Sequence, residues 1–313
     1  MAKAHVNPEA WAKKVRRRKR ILIPLGIVLV VAVVAGWVLK KSVLPELRHR
    51  HAYEQAEEAM RLGNVQEAID QFSVLWYYKD AAARATELVV SAQKDDALLQ
   101  TIQNAQLGDT LCLGRWEQDG WSENGPEPIE WLVMGEDDGL LLLMSKNILD
   151  SVPFNETTEK VTWEDCTLRS WLNEAFYADA FSQDEKLFVA KSVVNTADNP
   201  VSHTKGGEKT EDHVFILSFN ELIVCSAANP NLEDLSAAPT RYAIDQGAEY
   251  NSEWKSAAWW IRMPGLEQNC AGYCDMTGNP LYNCPVSRKG LGVRPAIWVF
   301  SPGRHVEQEQ QAG

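Results

Sequence analysis

The chain has 313 residues and a formal net charge of −12, from 31 Lys and Arg against 43 Asp and Glu, with 45% hydrophobic residues. Those proportions are those of a folded protein and exclude a wholly disordered chain. The acidic balance also excludes a protein that wraps nucleic acid, because phosphate neutralisation needs clustered Lys and Arg.

The charge is unevenly spread. Residues 1–41 hold ten Lys and Arg and one acid, Glu9, a formal +9; the rest hold 21 basic against 42 acidic residues, a formal −21. The basic tail, 1–20, ends in RRRKR and is followed by Ile21–Leu39, nineteen residues without a charge. At about 1.5 Å per residue a helix of that length just crosses the hydrocarbon core, so 21–39 reads as a transmembrane helix. Pro24 falls in its first turn, where a missing N–H is harmless, and Trp37 falls near its far end, where interfacial aromatics belong. Eight basic residues precede the run, so the positive-inside rule places the N-terminus in the cytoplasm and residues 42–313 outside the cell membrane, in a single-pass arrangement. A cleaved signal peptide is the alternative, with Val33-Val34-Ala35 as its cleavage site. The run is longer than a signal h-region, and Lys40-Lys41 follow it.

Residues 46–106 read as helices. Ala52, Ala56 and Ala59 recur at helical spacing, a break falls at Gly63-Asn64, and Ala68, Ile69 and Phe72 resume the pattern. Gly63, Val65, Ala68 and Phe72 stand at the spacing of a tetratricopeptide repeat, although Lys79-Asp80 replaces the usual closing Pro. So short a match fits a generic helical hairpin as well. Either way it predicts a short helical stalk that packs on the next domain or on a partner.

From 107 to 302 the composition shifts to Gly, Pro and Trp, and an α+β domain is expected. IEWLVMG and LLLLMSK flank Asp138-Gly139, a type I′ hairpin signal. Thr162 with Asp165 approximates a capping box, and Leu168, Trp171, Leu172, Ala175 and Phe176 form one buried helical stripe. A short helix follows at 183–189, a strand at Val214–Ser218, a helix from about Asn220, and strands at Ala257–Arg262 and Gly292–Phe300, with Pro295 marking an edge or bulge. Irregular alternation argues against a doubly wound sheet. Residues 303–313 read as a disordered tail.

LGDTLCLGRWEQDG, EPIEWLVMG, TWEDCTLRSWLNEAF, HVFILS, AAWWIRMPG and GVRPAIWV occur in this order. Together they resemble the bacterial family of domain of unknown function 6273, over about the last two-thirds of the chain. Met263 departs from the family pattern, which has Ser after the Arg of its Trp-Trp motif. The resemblance implies no established activity. The late Trp-Trp and Val-Arg-Pro strands also resemble the C-type-lectin and formylglycine-generating-enzyme type of fold, and fold alone gives no function.

The candidate ligand-binding residues are Trp259, Trp260, Arg262 and Arg294. Adjacent Trp residues on a strand point to opposite faces, so one enters the core and the other is either presented to a ligand or buried under a loop. The two arginines either bind a carboxylate or phosphate bidentately, or tie loops to internal acceptors. Cys270, Cys274 and Cys284 cluster and are candidates for a disulfide outside the cell. A zinc site on these thiols lacks a fourth ligand, and a copper-thiolate pair does not fit their spacing. The carboxylates Glu127, Glu130, Glu136, Asp137, Asp138, Glu164, Asp165, Asp245 and Asp275 form no acid/base or EF-hand pattern. P-loop, GxSxG, HExxH and dinucleotide signatures are absent. No cofactor, metal or nucleic acid is therefore expected. The reading is a membrane-anchored extracytoplasmic recognition protein for a glycan, a cell-wall fragment or a protein. An enzyme on the same domain is the alternative, or an assembly protein acting through the stalk.

Overall fold

The structure is a computed structural model that describes residues 40–41, 44–228 and 235–303. The basic tail 1–20, the apolar segment 21–39 and residues 304–313 of the tail lie outside the described residues. Among the described residues no helix is long and apolar enough to cross a membrane. The chain divides into two compact units, 1–55 and 56–313. The first unit contributes the start of helix α1 (Leu44–Leu62), where Arg50 pairs with Glu54 one turn later at 3.0 Å.

The second unit opens with the rest of α1 and three further helices: α2 (Val65–Val74), α3 (Ala81–Ala92) and α4 (Asp96–Asn104). Ala56, Ala59, Ala68, Ile69 and Phe72 are buried as the spacing predicts, and Ala81, Ala85 and Val89 of α3 form a second buried stripe. These helices pack on the domain that follows. Trp76 meets Phe300 with ring centroids 5.7 Å apart. The Tyr77 hydroxyl donates to Asp137 at 2.7 Å, Gln103 donates to the Pro302 carbonyl at 2.8 Å, and Ser301 donates to the Ile102 carbonyl at 3.3 Å. On the other flank His213 lies 3.0 Å from Asp70 of α2 and stacks on Tyr177.

The domain is α+β. Its main sheet has five antiparallel strands in the order β1-β2-β3-β10-β4: β1 (Thr110–Trp116), β2 (Glu127–Asp137), β3 (Leu140–Ser145), β10 (Ala296–Phe300) and β4 (Val189–Ala190). Asp138 and Gly139 both have positive φ, 40° and 84°, as a two-residue type I′ hairpin between β2 and β3 requires. The β1–β2 register shifts between Cys112 and Arg115. Gly114 sits in that bulge at φ 70°, and a Cβ there would come within 2.7 Å of the Ala180 carbonyl oxygen, so the bulge also admits the neighbouring helix end. Two smaller sheets complete the domain: β5 (Ser192–Val194) with β6 (Thr210–Asp212), and β7 (Trp259–Pro264), β8 (Cys270–Cys274) and β9 (Pro280–Pro285) in sequence order.

Several elements differ in detail from expectation. The helix α5 starts at Thr167 (Thr167–Trp171), and Thr162 only approaches Asp165, at 3.4 Å. It runs through a π turn at Leu172–Phe176 into α6 (Tyr177–Ala180). The wider turn rotates Ala175 out to solvent, while Leu168, Leu172, Phe176 and Ala180 stay buried. The reciprocal capping box belongs instead to Ser182 and Glu185 at the head of α7 (Gln183–Lys186), and Val189 already belongs to β4. Val214–Ser218 is not a strand. It makes one bridge, Phe215 to Ala296, and its Ile216 and Leu217 carbonyls are taken by Arg262. Side-chain and single-bridge partners satisfy the backbone that a ladder would have satisfied. Helices α8 (Phe219–Ala228) and α9 (Arg241–Asp245) follow. Pro295 immediately precedes β10, which is central rather than an edge; its carbonyl still accepts from Ser145 N at 2.8 Å.

Trp76→Ala should lower stability by about 3–5 kcal/mol, as large-to-small core changes do. Urea unfolding followed by far-ultraviolet circular dichroism and by Trp fluorescence should give coincident curves. Two separated transitions would mean that the helices stand free of the domain.

Candidate functional site

The four residues singled out from sequence lie in the interior. Arg262, on β7, has a fully buried side chain. Its Nε donates to the Ile216 carbonyl at 3.1 Å and its Nη1 to the Asn195 carbonyl at 2.8 Å and to Thr196 at 3.0 Å. Its Nη2 donates to both carboxylate oxygens of Glu221, at 2.8 and 2.7 Å. This is the loop-tying alternative. Arg294 is also buried and donates to the Ser145 and Lys146 carbonyls, with its guanidinium 4.8 Å from the Trp259 ring centre. Burial pushes it down to about 10, so it keeps its proton at neutral pH. The two guanidinium groups hold different acceptors.

Trp259 and Trp260 are both 0% exposed, so neither ring is presented to a ligand in this structure. The Trp259 indole donates to the Leu235 carbonyl at 3.2 Å. That of Trp260 donates to the Val152 carbonyl at 3.0 Å and its ring packs edge-on to Phe154. Both faces of β7 are covered, so alternation along the strand exposes nothing. Cys270, Cys274 and Cys284, which read as either a local disulfide or plain free thiols, are free thiols in this structure. Cys270 and Cys274 stand four residues apart on one strand, about 13 Å. Cys284 pairs with Ala271, one step from Cys270, and successive residues of a ladder face opposite sides. Burial pushes the Cys274 thiol up to about 12 and Cys284 up to about 11, so neither is an activated nucleophile.

The groups left with open chemistry gather where β1 ends and β2 begins. Trp116 and Glu127 pair across the strands, and the loop between them folds on its own carboxylates. Glu127 accepts from the Gln118 amide at 2.7 Å, Glu117 from the Gly120 amide at 2.8 Å, and Asp119 from the Trp121 amide at 2.7 Å and from Asn124 at 2.8 Å. The Trp121 amide, with Asn124, holds the Asp119 carboxyl below its ordinary value. Oxygens of Glu117, Asp119 and Glu127 lie within 4.8 Å of one another, an oxygen-only donor set of the kind that suits calcium. These same oxygens already organise the loop. The Gln118 carbonyl accepts from the Tyr242 amide at 3.0 Å, which joins α9 to the loop.

Beneath this loop lies Asp150, 6% exposed. Backbone hydrogen bonds between residues 149–150 and Val293 fix its position, and its Oδ1 accepts the Ser151 amide at 2.7 Å. No Lys or Arg pairs with it among the described residues. Burial pushes its carboxyl up to about 6, against the pull of the Ser151 amide and the Trp116 indole. The Trp116 Nε1 is shut off from solvent, and the Asp150 carboxyl is the acceptor it acts on. The half-buried Trp116 ring packs edge-on against Trp171 at 5.9 Å and Tyr242 at 6.5 Å. Burial raises the Tyr242 phenol, and Asp150 and Glu117 beside it raise it further. Sequence reading missed this group. The usable signal was an acid in an apolar run, Ile148-Leu149-Asp150-Ser151-Val152.

Two outcomes follow. Arg262→Met should destabilise the chain by about 3–5 kcal/mol, because it strands buried carbonyls and the Glu221 carboxylate. A loss under 1 kcal/mol in chemical unfolding would refute the structural role. For Asp150 the folded carboxyl titrates near 6 and the unfolded one near 3.8. The folded state therefore binds the extra proton between these values. The group's contribution to stability is full below about pH 4 and declines as pH rises through 6. Asp150→Asn should gain on the wild type by up to about 3 kcal/mol on going from about pH 4 to about pH 7. A difference that does not vary with pH, measured by urea unfolding, would mean that the carboxyl is not desolvated.

No curated protein and no solved structure matches the chain. One family model does, over residues 138–301, described as domain of unknown function (DUF6273). The match begins at the β2–β3 hairpin and ends just past β10, and it takes in Asp150, both buried arginines and the Trp pair. More than half of the chain is covered, and the protein belongs to the DUF6273 family.

Proposed function

We propose that this protein is a single-pass membrane protein whose acidic body, residues 42–313, stands outside the cytoplasm and recognises a glycan, a cell-wall fragment or a protein. The charge-free run 21–39, with RRRKR before it and Lys40-Lys41 after it, supports the anchor and its orientation. The tetratricopeptide-like spacing at Gly63, Val65, Ala68 and Phe72 and the C-type-lectin-like reading of the domain belong to the same proposal.

The observation that carries recognition is a set of large aromatic rings left exposed in the loops of the domain. Trp121 is 61% exposed, Trp254 57% and Tyr250 44%. Large rings left in water on loops are stacking platforms for sugar rings and contact residues for proteins. Meanwhile the groups that would suit catalysis are used in structure: the arginines bind internal carbonyls and Glu221, and burial raises Cys274 and Cys284 out of reactivity. Asp150 favours the enzyme reading, since a carboxyl near 6 suits general acid–base work. It is joined to no nucleophile: the Ser151 hydroxyl donates to the Leu291 carbonyl instead.

Cell fractionation with protease added to wall-stripped cells tests the topology. The full chain should sediment with membranes, resist salt extraction, and lose its body to external protease. Release into the medium, or protection of residues 42–313, would overturn the anchor. Pull-down of purified cell-wall fragments tests recognition. Trp121→Ala with Trp254→Ala should weaken it about tenfold while leaving the unfolding curve in place.

A further inference from the structure

The loop between β1 and β2 carries the only Asn-Gly step of the sequence, Asn124-Gly125. Asn124 is exposed, and its side-chain NH2 donates to Asp119 at 2.8 Å. Its side-chain carbonyl accepts no hydrogen bond among the described residues, so the amide is tethered at one atom. Gly125 follows with φ 80°, and a Cβ there would meet nothing within 4 Å. Its backbone amide reaches the Ser122 carbonyl only at 3.4 Å, beyond the usual range of a hydrogen bond. The turn is thus exposed, loosely closed and unpacked around the glycine.

Other asparagines are held more firmly. Asn251 precedes Ser252, and its side-chain carbonyl accepts from the Glu253 and Trp254 amides at 2.9 and 3.0 Å. Asn155 and Asn199 are buried, and the Asn173 side-chain carbonyl accepts from the His213 amide at 2.8 Å. A side-chain amide that is to fold back on the next backbone nitrogen needs the freedom these lack. It also needs a following residue with no Cβ in the way, which glycine alone provides. Asp119-Gly120 has the same form in the same loop. A carboxylate, however, cannot expel an oxygen until it is protonated, and the Trp121 amide and Asn124 keep Asp119 ionised.

We propose that Asn124 is a site of spontaneous deamidation, a covalent modification of the β1–β2 loop. The Gly125 amide nitrogen forms a bond to Cγ of Asn124 and the Cγ–Nδ2 bond breaks. The proton of the Gly125 amide leaves with Nδ2 as ammonia, and a five-membered imide closes. Water then opens the ring. Attack at the side-chain carbonyl gives Asp; attack at the main-chain carbonyl gives isoaspartate, whose backbone is one carbon longer. Nothing is oxidised or reduced: water enters and ammonia departs. Either product places a new carboxylate beside Asp119, which loses its Asn124 donor, in a loop that already holds Glu117 and Glu127. Isoaspartate also breaks the turn that the Asn124 amide closes on the Trp121 carbonyl at 3.2 Å. The exposed Trp121 ring hangs on that turn, so the modification reaches one of the rings assigned to recognition above. The chemistry itself does not depend on that assignment.

The test uses the full chain in detergent micelles, incubated at mildly alkaline pH, where loss of the amide proton speeds the attack. Peptide mapping by mass spectrometry follows the segments around Asn124 and Asn251. A free peptide of residues 118–128 gives the rate of the same loop without the fold. Asn124 should convert at least about tenfold faster than Asn251, a barrier lower by about 1.4 kcal/mol. Its products should be heavier by the mass of water less that of ammonia, and should separate into isoaspartyl and aspartyl peptides. Asn124→Gln keeps the amide donor but must close a larger ring, so that segment should stay unchanged. An Asn124 that remains intact while the free peptide is consumed would overturn the proposal. So would a rate no greater than that of Asn251, or the same mass gain in the Asn124→Gln segment.

Discussion

One guanidinium holds together the least regular part of this molecule. Arg262 reaches from β7 to the extended segment at Ile216, to the loop at Asn195 and Thr196, and to the first turn of α8 through Glu221. None of these segments has a ladder long enough to fix it. A planar fork with five donors can satisfy acceptors on several chain segments at once, which an ammonium cannot do. The consequence is a domain in which a side chain does the work usually done by sheet hydrogen bonds. It also explains why Leu217, without a strand around it, still gives up its carbonyl to the Arg262 amide.

Arg294 follows the same logic on the other sheet. It reaches back to the carbonyls of Ser145 and Lys146 where β3 ends, and Trp259 covers its face. The Trp-Trp and Val-Arg-Pro segments are thus two halves of one packing arrangement: an aromatic of one lies on the cation of the other. Within the span matched by the DUF6273 family, these two segments are devices of construction. The groups with chemistry to spare stand elsewhere, at the mouth of the β1–β2 loop, where Trp116 and the acidic loop precede the matched span and Asp150 belongs to it.

The sequence was legible where a local rule decides the outcome. The Asp138-Gly139 hairpin, the apolar stripes of α1 and α2, and the helix near Asn220 depend on neighbours a few residues away. Ala175 and Val214–Ser218 depend on distant ones. A π turn rotated the first out of its stripe, and side chains from β7 replaced a ladder for the second. Site reading failed for a related reason. Two adjacent Trp residues do alternate on β7, but tertiary structure covers both faces, which no period can reveal. Asp150 was overlooked because its unusual property, burial without a partner cation, exists only once Val293, Trp116 and Tyr242 surround it. Its apolar flanks were the visible part of that property.

The placement of β10 has a consequence for synthesis. It is the last strand of the domain, yet it lies between β3 and β4, and its first residue bridges Phe215. The early hairpin strands β1, β2 and β3 therefore wait, with one edge of β3 open, while about 150 further residues are made. Until Phe300 leaves the ribosome and its flanks are free to pair, the main sheet is two pieces with no shared strand. A nascent chain in that state presents Leu140–Ser145 as an unpaired apolar edge, the kind of surface that chaperones cover and that aggregates if they do not. Loss of β10 alone would leave the domain in that condition permanently.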